Sequence, residues 1–382
     1  MSSVTFPTIL GGDGSTVTDD SNPTTGLANG GHRTRFVPAL TQIVNIASTF
    51  VDAAANTSAD IASPGRNKIL NGDFVLASRG TTLTSPSSGA VLLDGWKFGN
   101  TTSATVTVTQ DADGPTISQA GVYTPNCMKV AITGADTSIA AAESLVIAQS
   151  IEGQVAACLG FGKGVANNIR LVFWVKGSKT GTYSVSIRNS ASDRSYVKEF
   201  TINSAATWEK KSLLIPVDVA NTWLYNTGIG IKLSIALASG STLQTTANTW
   251  VGGNYTATAN QVNLANTIGD YIKLSQVSLS AGDSETIFIP SSLIDNYRYF
   301  KKLSSLVIGG YAAAGGTIYV PIHHNLPMRA TPTVSIISPG YSNASGLTTW
   351  VGSDNTVTTM VLTITATGYG YVQCALELNA TL

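Results

Sequence analysis

The run Leu171-Val172-Phe173-Trp174-Val175 constrains this chain more than any other stretch of it. Five consecutive apolar residues, β-branched and aromatic among them, fit a strand buried on both faces. The turn cluster Lys176-Gly177-Ser178-Lys179-Thr180-Gly181 follows, and then Tyr183-Ser184-Val185-Ser186-Ile187 alternates apolar and hydroxyl side chains. Alternation of this kind predicts a strand with one wet face, and the two runs together predict a β-hairpin. The strand pattern recurs from about residue 67 to 288, at 69–76, 91–98, 103–110, 127–133, 144–151, 169–176, 181–188, 196–202, 208–215, 229–237 and 271–280. Short strands at this spacing, with almost no helical period, predict a mainly β chain built on a jelly-roll β-sandwich.

The flanks read differently. Residues 1–35 are rich in Gly, Thr, Asp and Asn, without sustained period, and predict an extended arm that orders on a partner. Over 36–66, Phe36, Leu40, Ile43, Ala47, Phe50, Ala54, Thr57 and Ile61 recur in steps of four and three, and Ser63-Pro64-Gly65 closes the run. That is a helix with a heptad seam. It serves either as an amphipathic helix packed on its own domain or, the preferred reading, as one strand of a trimeric coiled coil. Between about 238 and 268 the alternation lapses into a long loop carrying Trp250 and Tyr255. Residues 289–303 predict a short linker helix through Ile294, Tyr297 and Phe300, and 304–382 predict a smaller C-terminal β-domain.

Composition narrows the function. Only 12% of the 382 residues are charged, and 22 basic residues balance 22 acidic ones. A nucleic-acid partner needs a basic face, so that class is excluded. Apolar residues make up 43%, too many for a disordered chain. No run approaches the ~18 apolar residues of a membrane span, and the first residues show no secretory leader, so neither membrane insertion nor export is expected. Cys127, Cys158 and Cys374 lack metal-ligand spacing and read as small hydrophobes.

Several segments resemble a known family in their order. They are Asn71-Gly72-Asp73-Phe74, Arg79-Gly80-Thr81, Asp94-Gly95-Trp96, Gln149-Ser150-Ile151-Glu152-Gly153 and Val172-Phe173-Trp174-Val175-Lys176-Gly177. Gly181-Thr182-Tyr183, Trp208, Ile215-Pro216, Ile272 to Leu279, Tyr297-Arg298-Tyr299-Phe300 and Pro327 to Val334 continue the series. Together they resemble tail fibres and other virion-surface proteins of tailed bacteriophages that carry a carbohydrate-binding-module-like jelly roll. The resemblance spans roughly 67–382. It implies a homotrimer that folds in the host cytoplasm, docks on other virion proteins through residues 1–66 and meets host cell-surface polysaccharide. Attachment to tail, baseplate or capsid stays open. Related modules hold a structural calcium; Asp73 and Asp270 are the acids available for one here, while Lys273 and Gln276 stand where a further acid belongs.

Glycan recognition needs an aromatic face for the pyranose ring and neutral amides and hydroxyls around it. Two places supply both: Trp250, Asn254, Tyr255 and Asn260 with Gln261 in the long loop, and Tyr341, Asn343, Trp350 and Asp354 at the tip of the terminal domain. For the long loop the alternative is a Trp250-anchored contact with a neighbouring protomer. Trp96 and Trp174 lie in apolar runs and read as core. His323 and His324 are strand neighbours on opposite faces and cannot both hold one metal. The scattered acids show no pair for glycoside cleavage and no nucleophile motif occurs, so no catalysis is expected. The expected function is non-catalytic adhesion, with a purely structural decoration or connector protein as the alternative and a polysaccharide depolymerase behind both.

Overall fold

A computed structural model of the chain describes residues 3–5, 16–18, 66–91 and 93–382. The chain divides into two units, Met1–Ser63 and Pro64–Leu382. In the first, β1 (Ser3–Thr5) and β2 (Thr16–Thr18) pair antiparallel with Ser3 opposite Thr18. Both strands fall within residues 1–35, the segment expected to be an extended arm. The seam residues Phe36, Leu40, Ile43, Ala47, Phe50, Ala54 and Ile61 lie outside the described residues.

The second unit contains two six-stranded sheets. One carries, edge to edge, β3 (Thr82–Thr84), β5 (Thr105–Asp111), β6 (Cys127–Gly134), β14 (Tyr271–Ala281), β8 (Asn168–Gly177) and β11 (Glu209–Pro216). The other carries β4 (Trp96–Asn100), β7 (Ser144–Glu152), β12 (Ile229–Ser239), β9 (Gly181–Arg188), β10 (Arg194–Ile202) and β13 (Trp250–Gly252). Neighbours are antiparallel throughout, and the chain passes repeatedly from one sheet to the other. The inner faces meet at Phe173 of β8 and Phe200 of β10, edge to face with centroids 5.1 Å apart. This is a jelly-roll sandwich. Leu171 to Val175 are all buried, as a two-sided apolar run requires, and Trp96 sits wholly in the core.

Three expectations fail locally. The strands holding Leu171–Val175 and Tyr183–Ile187 do not form a hairpin: β8 pairs with β11 and β14, while β9 pairs with β10 and β12. The same turn residues serve a crossing between sheets; Ser178 is tied by its backbone N–H to the Tyr271 carbonyl, 3.0 Å, rather than to β9. Residues 69–76 form no strand. Asn71 and Phe74 adopt φ of 54° and 56°, and a Cβ on Gly72 would lie 2.0 Å from the Val277 carbonyl oxygen, so the segment coils against β14. The linker helix shrinks to one turn, Leu293–Tyr297, which leaves Ile294 exposed and buries Asn296 instead.

Beyond that turn, β15 (Phe300–Ala312), β20 (Gly368–Asn379) and β17 (Thr333–Ser342) form one three-stranded sheet. The second is β16 (Thr317–His323), β19 (Val357–Ile364) and β18 (Ala344–Thr349). Ile308, Leu347, Met360, Leu362, Ile364, Val372 and Leu376 fill the space between them. His323 is exposed and His324 buried, its Nε2 3.1 Å from Thr358 Oγ1 and its Nδ1 without a partner. Burial, seconded by the Lys301 charge, lowers the His324 pKa from 6.5, with Asp354 pulling the other way. The folded state therefore favours the neutral ring, and that stability is present above pH 6.5 and lost as pH falls through the lowered value. Urea midpoints at pH 7.5 and 5.5 should fall further for the wild type than for His324→Gln.

The ordered motifs converge on the junction between the two sandwiches. Arg79 pairs with buried Asp94 at 3.0 Å and lies over the Phe300 ring at 3.5 Å. Asn296 Nδ2 donates to Asp94 Oδ2 at 3.2 Å. Arg298 grips Glu152 with Nε at 2.9 Å and Nη2 at 2.6 Å, and the Tyr299 hydroxyl donates to the same carboxylate at 2.9 Å. Arg329 closes the joint through its N–H on the Arg298 carbonyl, 2.8 Å, and its Nε on the Ala380 carbonyl, 2.7 Å. These residues weld two β layers together.

Candidate glycan-contact surfaces

The long loop folds back over the outer face of the β9-β10-β12 sheet. Ser184 and Ser186, read as a wet face, are completely buried beneath it: the Thr258 N–H reaches Ser184 Oγ at 3.3 Å, and Ala257 packs with Val146 and Ala236. Trp250 holds one end of the loop. Its indole N–H donates to the Pro216 carbonyl at 2.9 Å, and its ring meets Tyr196, Trp223 and Phe161 at 5.2, 5.6 and 5.9 Å. Trp250 is therefore an anchor, as its alternative reading required, but on its own chain.

The neighbouring candidates also spend polar atoms internally. Asn254 Oδ1 accepts from Arg188 at 2.6 Å, the Tyr255 N–H donates to Ser195 Oγ at 3.0 Å, and Asn260 Nδ2 donates to Glu199 at 3.0 Å. Gln261 donates to the Ala236 carbonyl at 3.1 Å. Between loop and sheet edge an open groove of about 640 Å³ remains, walled by Glu199, Gln244, Thr245, Thr246, Thr258 and Asn260. Hydroxyls and amides dominate it, and Glu199 is the one carboxylate in its lining.

The four tip residues are not brought together. β17 runs away from the junction and β18 returns, so Tyr341 and Asn343 lie at the far end while Trp350 and Asp354 lie near the junction. Six residues of β18 separate Asn343 from Trp350 by about 20 Å at a strand's rise, while the Tyr341 side chain leans along β18 so that its hydroxyl accepts the Leu347 N–H at 3.3 Å. Asn343 is a clamp: its Nδ2 donates to the Ala366 and Tyr369 carbonyls at 2.9 and 3.1 Å, and its Oδ1 accepts the Ala366 N–H at 2.9 Å. Asp354 closes its own turn by accepting the Thr356 and Val357 N–H groups at 2.6 and 2.9 Å, bonds that hold its carboxyl below the usual range. Trp350 is half exposed and packs edge-on to Tyr319 at 6.3 Å.

A different surface gathers what a sugar needs. Tyr369, Tyr371 and Gln373 alternate along β20 and point outward, with Tyr311 of β15 opposite Tyr369. Tyr311 and Tyr369 are 73% and 61% exposed, and Tyr371 is 38%. Below them, both edge strands bulge against the same stretch of β20, between Leu303 and Leu306 on one side and Ile337 and Gly340 on the other. Ser305 and Ser338 take left-handed φ of 56° and 49° at these bulges. Bulges re-aim side chains and recur beside functional sites. The result is a groove of about 590 Å³ lined by Ser305, Ser338, Tyr341, Ser342, Tyr371 and Gln373, among others. Of this set, the sequence pattern points only to Tyr341. The missed signal is Tyr369-Gly370-Tyr371, tyrosines at period two around a glycine whose Cβ would meet the Asn343 carbonyl oxygen at 2.3 Å.

Asp73 and Asp270 do not share an ion site. Gly72 pairs with Val277 at one part of β14 and Asp270 precedes that strand, about 20 Å away by strand rise. Asp73 Oδ2 accepts the Ser291 N–H at 2.9 Å, and Asp270 accepts from Ser178 at 2.8 Å. Among the described residues no group of three or more His, Cys, Asp or Glu is placed to hold a metal.

No family model matches the chain, and no curated protein matches it. Among solved structures it is similar to the enzymatically active domain of tailspike protein 4 of bacteriophage CBA120, at 13% identity over 57% of this chain and 22% of that one, TM-score 0.32. It is also similar to the module TmCBM61 solved with β-1,4-galactotriose, at 14% identity over 56% and 97% of the two chains, TM-score 0.27. A family 11 carbohydrate-binding module of Clostridium thermocellum, solved with a β-1,3-1,4-mixed-linked tetrasaccharide, overlaps at 12% identity over 54% and 98%, TM-score 0.27.

Proposed function

We propose that this chain is a non-catalytic, glycan-contacting protein of a tailed-phage particle, docked through residues 1–66, trimeric, and exposed at the virion surface. The observation that carries the glycan reading is the tyrosine face of β15 and β20 above the serine-lined groove. Exposed rings stack on pyranose faces, and the adjoining hydroxyls and amide match sugar hydroxyls without charge. Neither groove offers the carboxylate pair that glycoside cleavage needs, since one lining holds Glu199 alone and the other holds no acid. The virion role rests on the ordered motifs over 67–382. Three weak contacts on one trimer would multiply into firm attachment.

The full chain on an array of bacterial surface polysaccharides tests this. Binding is expected, with at least tenfold loss in the Tyr369→Ala, Tyr371→Ala double variant, about 1.4 kcal/mol. Unchanged affinity in that variant, or silence across the array, sinks the reading. Val307 and Ile337, exposed on the same sheet, favour a second one, in which the face packs against another copy and the protein is purely structural. In that case the same substitutions would shift the oligomer mass instead.

A further inference from the structure

Lys232 of β12 and Arg188 of β9 stand directly opposite each other in the ladder, and Ser195 of β10 completes the rung. Paired strand residues share a face with Cβ atoms about 5 Å apart, and like charges so placed repel. Three other cations of the sandwich have acids: Arg194 has Asp218, Lys273 has Asp111 and Asp113, and Arg298 has Glu152, whereas Arg170 and Lys179 bond neutral oxygens without facing a second cation across a ladder. Arg188 and Lys232 make no ion pair among the described residues. Arg188 donates only to neutral oxygens, Asn254 Oδ1 and Ser234 Oγ, both at 2.6 Å, and its buried Nε has no partner. Lys232 donates to Ser192 Oγ at 2.8 Å. One rung on, the buried Ser186 hydroxyl is also without a partner. Burial lowers the pKa of both cations, Arg188 to about 10, and Arg188 lowers Lys232 further.

We infer that the Arg188–Lys232 rung, flanked by Ser192, Ser234 and Asn254, is a subsite for the oxyanion of an acidic saccharide. A guanidinium fork takes two oxygens of a carboxylate, phosphate or sulfate, and the ammonium beside it adds a point charge. The Arg188–Asn254 contact lies at the solvent surface and the Ser234 contact is part-buried, so an incoming anion would take the place of the Asn254 oxygen first. An oxyanion there removes the repulsion that the neutral partners leave standing. The saccharide as carrier rests on the glycan reading above; the anion subsite does not.

The test uses the full chain. Inorganic phosphate, titrated at constant ionic strength, should raise the wild-type melting temperature to a plateau. Lys232→Gln should lose that increment while melting no lower than wild type without phosphate, and Lys232→Arg should keep it. Oligogalacturonate should bind wild type at least tenfold more tightly than Lys232→Gln, and its neutral methyl ester should not distinguish them. No saturable phosphate effect, or an equal one in Lys232→Gln, overturns the subsite. A phosphate effect confined to wild type, with no oligogalacturonate binding, upholds the anion site and overturns the saccharide as its source.

Discussion

Arg298→Ala should lower the stability of this chain by about 3 kcal/mol, the cost of stranding one partner of a buried ion pair. Glu152 is fully buried, and Arg298 meets it with two N–H donors at 2.9 and 2.6 Å. Without the guanidinium, the carboxylate keeps the Tyr299 hydroxyl at 2.9 Å and must find water in a closed joint. The reverse deletion is milder. In Glu152→Gln the amide still offers an oxygen to Arg298, whose side chain is 25% exposed and can turn to solvent. Arg298→Lys falls between, because an ammonium cannot reproduce the fork. Urea midpoints read the order directly: Arg298→Ala lowest, then Arg298→Lys, then Glu152→Gln. The effect also has a place. The pair joins the end of β7 to the residues just before β15, so Arg298→Ala should speed proteolysis at 283–299 before any strand is cut. A loss under 1 kcal/mol, or equal loss in both partners, would show that the joint is held by packing alone.

Strand periodicity made the sandwich readable, and the limits of that reading are physical. Period two reports which side chains share a face, so the nine strands expected between 103 and 281 fall within two residues of their bounds, while the three-residue β13 lies in the expected loop. It does not report what lies over the face, and Ser184 and Ser186 look wet in sequence yet lie under a loop 70 residues on. Nor does it say whether a turn stays within a sheet. Ser178 and its neighbours would close a hairpin or cross between layers equally well, and pairing with β14 decides it. The candidate site was less legible. Trp250, Asn254 and Asn260 are aromatic and amide groups in a loop, the pattern of a sugar site, but such groups also hold loops in place, and here they do. The tyrosine groove depends on two bulges meeting across β20, a coincidence of register between Leu303–Leu306 and Ile337–Gly340, segments 34 residues apart. No local pattern carries that.

Asn71→Ala should be more damaging still, at about 4 kcal/mol, although the residue touches no ligand surface. Its amide is the hub of the coil that replaces the expected first strand. Nδ2 donates to the Leu76 and Asp94 carbonyls at 2.8 and 3.1 Å, and Oδ1 accepts the Leu76 N–H at 2.9 Å. Alanine leaves three buried backbone groups short of a partner, each costing about 1–3 kcal/mol when unsatisfied and less where a second bond survives. It also removes the local side-chain hydrogen bonding that lets asparagine occupy the left-handed region at φ 54°, for about 1 kcal/mol more. Asn71→Gly separates the two contributions. Glycine loses the hydrogen bonds but accepts the backbone, so it should recover roughly 1 kcal/mol relative to alanine. Asn71→Asp keeps the acceptor and sets a carboxylate beside two carbonyl oxygens, so its deficit should shrink as the solution is acidified. The Asn71 carbonyl also accepts the Trp96 indole N–H at 3.1 Å, which links this coil to the largest ring in the core. The difference in tryptophan fluorescence between wild type and a Trp96→Phe background, one ring of six, therefore reports the loosening independently of the urea midpoint. Glycine and alanine equal in both measurements would remove backbone strain from the account, and a loss under 1 kcal/mol for alanine would remove the hub.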